Sequence, residues 1–142
     1  MGNYFKYKID KIKYKQIKEH NYFEVSGWCG IQNDDSPISY EIKVNDKSVF
    51  FECDSIYRTD ILRELKKKNK QLSLGFYIRV DCLEANVESF KLYAKSNGHE
   101  EKLISLSRDG IKEIEDNHFI EFNIDSVTYE KEISTITSSR NP

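Results

Sequence analysis

The sequence predicts an all-β protein, an antiparallel β-sandwich of two sheets with one short crossover helix. Apolar and polar residues alternate in one segment after another, the pattern of strands with one buried face. Clusters of Asn, Asp, Ser, Gly and Pro separate these segments, as expected for tight turns. One segment, residues 60–69, instead carries a one-sided apolar stripe with helical spacing.

Size and composition favour a single folded unit. The chain has 142 residues, of which 38% are hydrophobic and 32% charged, and its 8 Phe and 9 Tyr argue against disorder. A net charge of −2 gives no general attraction to nucleic acid or to an anionic membrane. No apolar run reaches the roughly 18 residues that cross a bilayer, and the N-terminus lacks a secretory signal. The expected location is therefore the cytoplasm.

Cysteine and histidine residues give no metal or catalytic pattern. Cys29, Cys53 and Cys82 are far apart and form no C-x-x-C pair. His20, His99 and His118 are scattered through polar segments. The sequence therefore predicts reduced cysteines that pack in or near the core, no catalytic residue, no metal site and no cofactor.

The first strand is predicted over residues 4–14. Phe5, Tyr7 and Ile9 share one face, but the apolar positions then move to Ile12 and Tyr14. A change of phase by one residue predicts a bulge or kink at residues 10–11.

The second strand, residues 22–31, contains the only tryptophan. Phe23 and Val25 point to one side with Gly27, whereas Glu24 and Trp28 point to the other. We expect an inner strand whose Trp28 is the largest apolar anchor of the core between the two sheets.

Two further strands and the helix complete the first half. A turn at 32–37 precedes a strand at 38–44, and a hairpin loop at 45–47 leads to a strand at 48–53. Thr59 or Asp60 is a candidate cap for the helix over residues 60–69. The lysines at its end, residues 66–70, are expected to be solvated, where the helix dipole favours cations.

The second half continues the alternating pattern. Strands are predicted at residues 75–82, 87–95 and 100–107, with a hairpin turn at Ser96-Asn97-Gly98. Residues 108–110 are predicted as a turn and residues 111–114 as a brief strand.

The tail contains an internal echo. Tyr7-Lys-Ile-Asp-Lys-Ile-Lys-Tyr14 aligns with Phe122-Asn-Ile-Asp-Ser-Val-Thr-Tyr129, with three identical positions of eight. The offset of 115 residues suits one small β domain. This predicts a module at 1–115, then a linker and the start of a second, truncated repeat at 116–142.

Three short motifs resemble a known family. Gly27-Trp28, Arg58-Thr59-Asp60-Ile61 and Gly75-Phe76 occur in the order found in immunoglobulin-like β-sandwich modules that precede family 2 glycosyltransferase domains in Gram-positive bacteria. The resemblance covers roughly residues 5–107. One departure is Cys29, where a small residue such as Ala is more usual after the tryptophan.

The resemblance implies a context rather than a reaction. It implies a protein that builds surface polysaccharide at the cytoplasmic face of the inner membrane, with the catalytic domain further along the chain. This segment has no Asp-x-Asp metal motif, because Asp34 and Asp35 are adjacent. It is therefore predicted not to be an enzyme itself.

Four polar or aromatic residues are candidate contacts for a ligand or partner: Arg58, Asp60, Tyr57 and Tyr77. Arg58 suits carboxylates and phosphates, but a salt bridge with Asp60 that holds the helix is the more ordinary role. Trp28, Tyr57 and Tyr77 could form a platform on which a sugar stacks. Trp28 and Phe76 are expected in the core.

Two functions remain open. The chain is either a module that positions or assembles a glycosyltransferase, with self-association as a further option, or a carbohydrate-binding module that holds the acceptor glycan. An exposed aromatic strip on one sheet face would favour the second.

Overall fold

The computed structural model describes residues 4–116 and 119–121. Its strands form two antiparallel sheets, which confirms the predicted all-β two-sheet sandwich. The strands are β1 (Lys6–Ile17), β2 (His20–Gly30), β3 (Ser39–Val44), β4 (Lys47–Ser48), β5 (Glu52–Ile56), β6 (Gly75–Leu83), β7 (Ser89–Ser96), β8 (His99–Ser107) and β9 (Phe119–Glu121). The helices are α1 (Thr59–Glu64) and α2 (Arg108–Asp116). Helix α1 is the short helix that the sequence predicts, but it connects β5 and β6, two neighbouring strands of the same sheet, and does not cross between the sheets.

The two sheets differ in size. The larger has the strand order β5-β6-β2-β1-β9, and the smaller has the order β4-β3-β7-β8. Their inner faces enclose the main core, in which the rings of Phe23 and Phe90 stack with centroids 4.1 Å apart. Strand β2 therefore occupies the centre of the larger sheet, as an inner strand should.

The phase change in β1 is a β-bulge, as predicted. Ile9 pairs with Gly27 and Lys11 pairs with Ser26, which leaves Asp10 as the extra residue. The extra residue shifts the alternation by one position, so the side chains of Ile9 and Ile12 both point inward. Both residues are fully buried.

The strand predicted at 48–53 is instead two strands in different sheets. Residues 47–48 pair with β3, and residues 52–56 pair with β6 in the other sheet. The chain crosses the end of the sandwich between them, and Phe50 there is 84% exposed. The sequence Val49-Phe50-Phe51 breaks the two-residue period, and the change of sheet is its cause.

The turn and strand predicted at 108–114 are wrong, because this segment is helix α2. Ile111 and Ile114, three residues apart, are both buried, which is the spacing of one helix face. The hydroxyl of Ser107 accepts a hydrogen bond from the backbone N–H of Gly110 at 3.3 Å, as an N-cap does.

Helix α1 is shorter than predicted, and neither predicted residue caps it. The N-cap position is Arg58, with no side-chain cap hydrogen bond. The helix ends before Lys66, whose φ of 55° lies in the left-handed region.

Lys67 is the exception to the predicted solvated lysines. Only 3% of this residue is exposed, and its ammonium donates to the backbone carbonyls of Ile31 and Asp34 and to the Asp35 carboxylate. Three neighbouring lysines are exposed, as predicted: Lys66, Lys68 and Lys70.

The predicted second repeat at Phe122–Tyr129 lies outside the described residues and stays a prediction. Phe119–Glu121 pair with Lys11–Lys13 of β1. No helix in residues 4–116 or 119–121 combines the length and the apolar content needed to cross a bilayer.

Candidate functional site

The three sequence landmarks meet at one place on the larger sheet. Gly27 and Phe76 are cross-strand partners, and so are Trp28 and Gly75. Arg58 lies over the same spot, since its Cγ would be 2.9 Å from a Cβ built on Gly75. Residues 27–28, 58–61 and 75–76, which we call the landmark cluster, thus form one packed unit.

Gly27 is required by the close approach of β1. A Cβ at this position would lie 2.3 Å from the backbone oxygen of Lys8 and 3.1 Å from Cα of Ile9. These are backbone atoms beside the bulge, so they cannot move aside as a flexible side chain could. The glycine therefore allows β1 and β2 to pair through the irregular register.

Trp28 is buried at 5% exposure, but not between the two sheets as expected. It belongs to a separate small cluster with Ile61 and Leu65, against which Leu74 packs. Period-two alternation puts Trp28 on the face of β2 opposite Phe23 and Val25. The indole therefore anchors helix α1 to the outside of the larger sheet, and α1 supplies the apolar cover that this outer face otherwise lacks.

Arg58 holds two acidic residues on different elements. Its Nε and Nη2 donate to the two carboxylate oxygens of Asp60 at 3.0 and 2.8 Å, and Nη1 donates to Asp10 Oδ2 at 3.4 Å. The Arg58 side chain is 31% exposed. The Arg58 guanidinium lowers the pKa of the Asp60 carboxyl. The pair therefore links the start of α1 to the bulge of β1.

Tyr57 and Tyr77 do not combine with Trp28 into a platform, because the indole is covered. Tyr57 is 51% exposed and its hydroxyl donates to the backbone carbonyl of Lys70. The Tyr77 hydroxyl donates to Glu24 at 2.7 Å, and the guanidinium of Arg79 lies 5.0 Å from the Tyr77 ring centre. The covered indole agrees with a packing role for Trp28 rather than with the alternative of a sugar platform.

The structure shows a pocket that sequence reasoning missed. It has a volume of about 210 Å³ and lies where the 49–51 crossing passes beside the outer face of β2 and β6. We call it the Phe50 pocket, and six of its lining residues offer side chains for contact: Tyr22, Glu24, Phe50, Glu52, Arg79 and Asp81. The signal that could have found it was the broken alternation at residues 49–51.

A second cavity, of about 120 Å³, lies at one end of the sandwich. Cys29, Tyr40 and Cys53 are among its lining residues. Burial, together with the Glu101 carboxylate, raises the pKa of the Cys29 thiol to about 12, and burial raises the pKa of the Tyr40 hydroxyl. Both groups are thus held protonated at neutral pH, so this cavity offers no activated nucleophile.

Histidines and carboxylates do not assemble into a metal site within residues 4–116 and 119–121. His20 Nδ1 lies 3.1 Å from Asp81 Oδ1, and the His99 ring stacks on Tyr4 with centroids 3.7 Å apart. His118 lies outside the described residues.

Comparison with known proteins adds no family assignment. No protein-family model matches the chain, and a search of curated proteins finds no match. The structure presents two surface features, the exposed edge strand β5 and the Phe50 pocket with its aromatic and charged side chains. The landmark cluster packs beside the end of β5.

Proposed function

We propose that this chain is a non-catalytic β-sandwich module that positions the catalytic domain of a glycosyltransferase for bacterial surface polysaccharide, at the cytoplasmic face of the membrane. The glycosyltransferase context comes from the resemblance in the landmark motifs. The observation that carries the docking role is the exposed edge strand β5.

Strand β5 is the terminal strand of the larger sheet, and all five of its residues are exposed. The edge strand of a sheet presents backbone donors and acceptors to which another chain can pair. Ile56, at 41% exposure, and Tyr57, at 51%, extend the edge with apolar surface. Residues 52–57, which we call the β5 edge, therefore combine backbone pairing with apolar contact.

The landmark cluster makes this edge rigid. The Ile56 side chain and the Arg58 stem both lie over Gly75, where a Cβ would be 2.9 Å from each. Arg58 then continues to Asp10 on β1, three strands away. A rigid edge loses little conformational entropy on docking, which favours binding.

The negative charge of the β5 edge favours some binding partners over others. Glu52 and Asp54 have side chains that are 66% and 58% exposed, and both contact Arg79. Antiparallel self-pairing of all five β5 residues would place Asp54 opposite the Asp54 of a second copy, and like charges directly opposite each other are destabilising. The edge therefore suits a catalytic domain that presents basic and apolar side chains better than it suits a second copy of this chain.

The test has a genetic and a biochemical part. The reading frame is expected to continue into a family 2 catalytic domain, which is expressed separately and titrated with residues 1–142 by calorimetry. Ile56→Glu should weaken association at least tenfold, because it adds a third carboxylate to the edge and removes apolar contact. Leu83→Glu is the matched control, at a 63% exposed position at the other end of β6, and should leave the affinity for the catalytic domain unchanged. The absence of a following catalytic domain, or equal binding by the Ile56→Glu variant, would contradict the proposal.

Glycan binding is the second candidate, and one observation favours it. The Phe50 pocket brings aromatic rings, carboxylates and a guanidinium together at the surface.

A further inference from the structure

We propose that the Phe50 pocket binds one pyranose ring of a neutral glycan, with Phe50 as the stacking residue. This function goes beyond docking of a catalytic domain and does not depend on it. Its residues differ from those of the sugar platform that the sequence left open as an alternative, and they lie on the outer face of the larger sheet.

The exposure of Phe50 is the first step. The Phe50 side chain is 84% exposed, and it lies beside a pocket rather than alone on a flat surface. One exposed apolar residue is common in folded proteins, so the proposed role of Phe50 depends on this pocket. The neighbours Val49 and Phe51 are partly buried against the core, so they hold the crossing in place. Phe50 is thus presented by an anchored segment rather than by a loose loop.

Four aromatic residues line the pocket, and two of them, Tyr22 and Phe50, lie outside the core. Tyr22 lies on the outer face of β2, where its ring stacks on His20 with centroids 5.9 Å apart. Phe50 stands at the rim on the crossing between β4 and β5. An aromatic face packs well on the C–H face of a sugar ring, since both are flat and apolar.

The polar side chains of the pocket form a cross-strand row. Glu24 pairs with Arg79 across β2 and β6, and Arg79 pairs with Glu52 across β6 and β5. Arg79 Nε is 3.4 Å from Glu52 Oε1, while Arg79 Nη1 is 2.8 Å from Asp54 Oδ2. These contacts orient the Arg79 guanidinium and the Glu52 carboxylate before a ligand arrives, which lowers the entropic cost of binding.

The three carboxylates of the pocket, those of Glu24, Glu52 and Asp81, can each accept further hydrogen bonds from hydroxyl groups. Glu24 Oε1 accepts from Tyr77, Glu52 Oε1 from Arg79, and Asp81 Oδ1 contacts His20. A carboxylate has about four lone-pair sites, so one such contact leaves room for the hydroxyl groups of a sugar. Arg79 supplies donors in a planar fork for ring or hydroxyl oxygens.

The charge balance identifies the glycan class. The pocket lining has three carboxylates against one guanidinium, so it repels uronic acids, phosphates and other anionic groups. Arg79 in the middle of the row and Lys15, whose ammonium lies 5.7 Å from the centre of the Tyr22 ring, offset this negative charge and weaken the attraction for a cation. A volume of about 210 Å³, below the roughly 300–1,000 Å³ of drug-sized sites, suits a single ring. A neutral sugar fits all three conditions.

Nuclear magnetic resonance titration of the 142-residue chain tests the proposal. The probes are neutral hexasaccharides of β-1,4-glucose, α-1,4-glucose and β-1,3-glucose, an acidic hyaluronan hexasaccharide, and spermidine as a cationic probe. At least one neutral probe should shift the resonances of Tyr22, Phe50 and Arg79, and the acidic and cationic probes should not.

Two variants locate the binding. Phe50→Ala should weaken the binding of the neutral glycan at least tenfold. It should not change the melting temperature, because the Phe50 ring is exposed. Leu83→Ala, which removes an exposed apolar side chain outside the pocket, should leave the affinity unchanged. The proposal is overturned if no neutral probe binds, if spermidine or hyaluronan binds in preference, or if Phe50→Ala binds like the unchanged protein. None of these results depends on whether Ile56→Glu alters docking, so the two proposals fail separately.

Discussion

Lys67 and Asp35 form an ion pair whose two members lie in opposite environments. Lys67 Nζ is 3.1 Å from Asp35 Oδ1, yet the lysine side chain is 2% exposed and that of the aspartate 45% exposed. The same ammonium donates to the backbone carbonyl of Asp34 at 2.7 Å and to that of Ile31. All three donors of the ammonium are therefore used to attach the segment after α1 to the turn after β2.

Replacing Lys67 should cost far more than replacing its neighbours. Lys67→Met keeps most of the apolar stem but leaves the two carbonyls without their donor, and we expect a loss of about 2–4 kcal/mol in the free energy of unfolding. Lys68→Met, at an exposed position, should stay within about 0.5 kcal/mol of the unchanged protein. Urea unfolding followed by tryptophan fluorescence measures both variants. Equal stability of the two would show that the contacts of Lys67 contribute nothing.

A methyl group at Gly27 should be much less tolerated than one at Gly30. A Cβ at Gly27 meets the Lys8 carbonyl oxygen at 2.3 Å, whereas one at Gly30 meets the flexible end of Leu65 at 2.7 Å. We expect Gly27→Ala to lower the free energy of unfolding by about 2–4 kcal/mol and Gly30→Ala to lower it by about 1 kcal/mol or less. Melting temperatures of the two variants test the order, and a reversed order would contradict the account of the bulge.

Arg58→Ala should lower stability, because it removes both the stem that covers Gly75 and the link to Asp10. Discounted for partial exposure of the ion pairs, the loss is expected to be about 1–2 kcal/mol. Arg63→Ala, at an exposed position in the last turn of α1, is the matched control and should be nearly neutral. An unchanged melting temperature for Arg58→Ala, together with lost binding of glycan or catalytic domain, would instead assign Arg58 to a contact surface.

Alkaline pH should destabilise the fold through its thiols. The pKa of Cys29 is raised from 9.0 to about 12, and that of Cys82 to about 11. Between pH 9 and 11 the unfolded chain therefore releases protons that the folded chain keeps, so the free energy of unfolding falls as pH rises. The slope should approach about 1.4 kcal/mol per pH unit for each thiol.

The variant Cys29→Ala should reduce this slope while costing some stability at every pH. Urea unfolding between pH 7.5 and 10 measures it, below the range in which tyrosines dominate. A slope that is the same with and without the Cys29 thiol would refute its contribution.

Alternation in the sequence was sufficient to predict most of the sandwich. The inward positions of β1, β2, β6 and β7 follow a two-residue period, and even the bulge at Asp10 is visible as a change of phase. Local pattern carries this information because a strand with one buried face must alternate. The confirmed fold class rests on these segments.

The features that the sequence did not predict depend on contacts between residues that are far apart in the chain. Trp28 obeys the alternation, but only the position of α1 reveals that its outward face is covered. Lys67 resembles its lysine neighbours in sequence, and only the carbonyls of the 31–34 turn explain its burial. Helix α2 was missed because Asp109 and Gly110 indicate a turn, although the three-residue spacing of Ile111 and Ile114 fits one helix face.

The candidate site was the least predictable part. Tyr57, Arg58, Asp60 and Tyr77 were chosen for their residue types, and the structure engages each in a contact within the chain. The Phe50 pocket combines residues from three strands and the crossing, so its geometry depends on which strands become neighbours. Sequence separation hides such a set until the sheet order is known.

The position of β9 determines how long a segment must be to reach from Glu121 to the opposite border of the larger sheet. Glu121 lies on the strand at one border of the larger sheet, and β5 forms the opposite border, four strand spacings or about 19 Å away. An extended polypeptide covers that gap in about six residues at roughly 3.4 Å each. Any segment that reaches the β5 edge from Glu121 without unpairing β9 therefore needs at least about six residues.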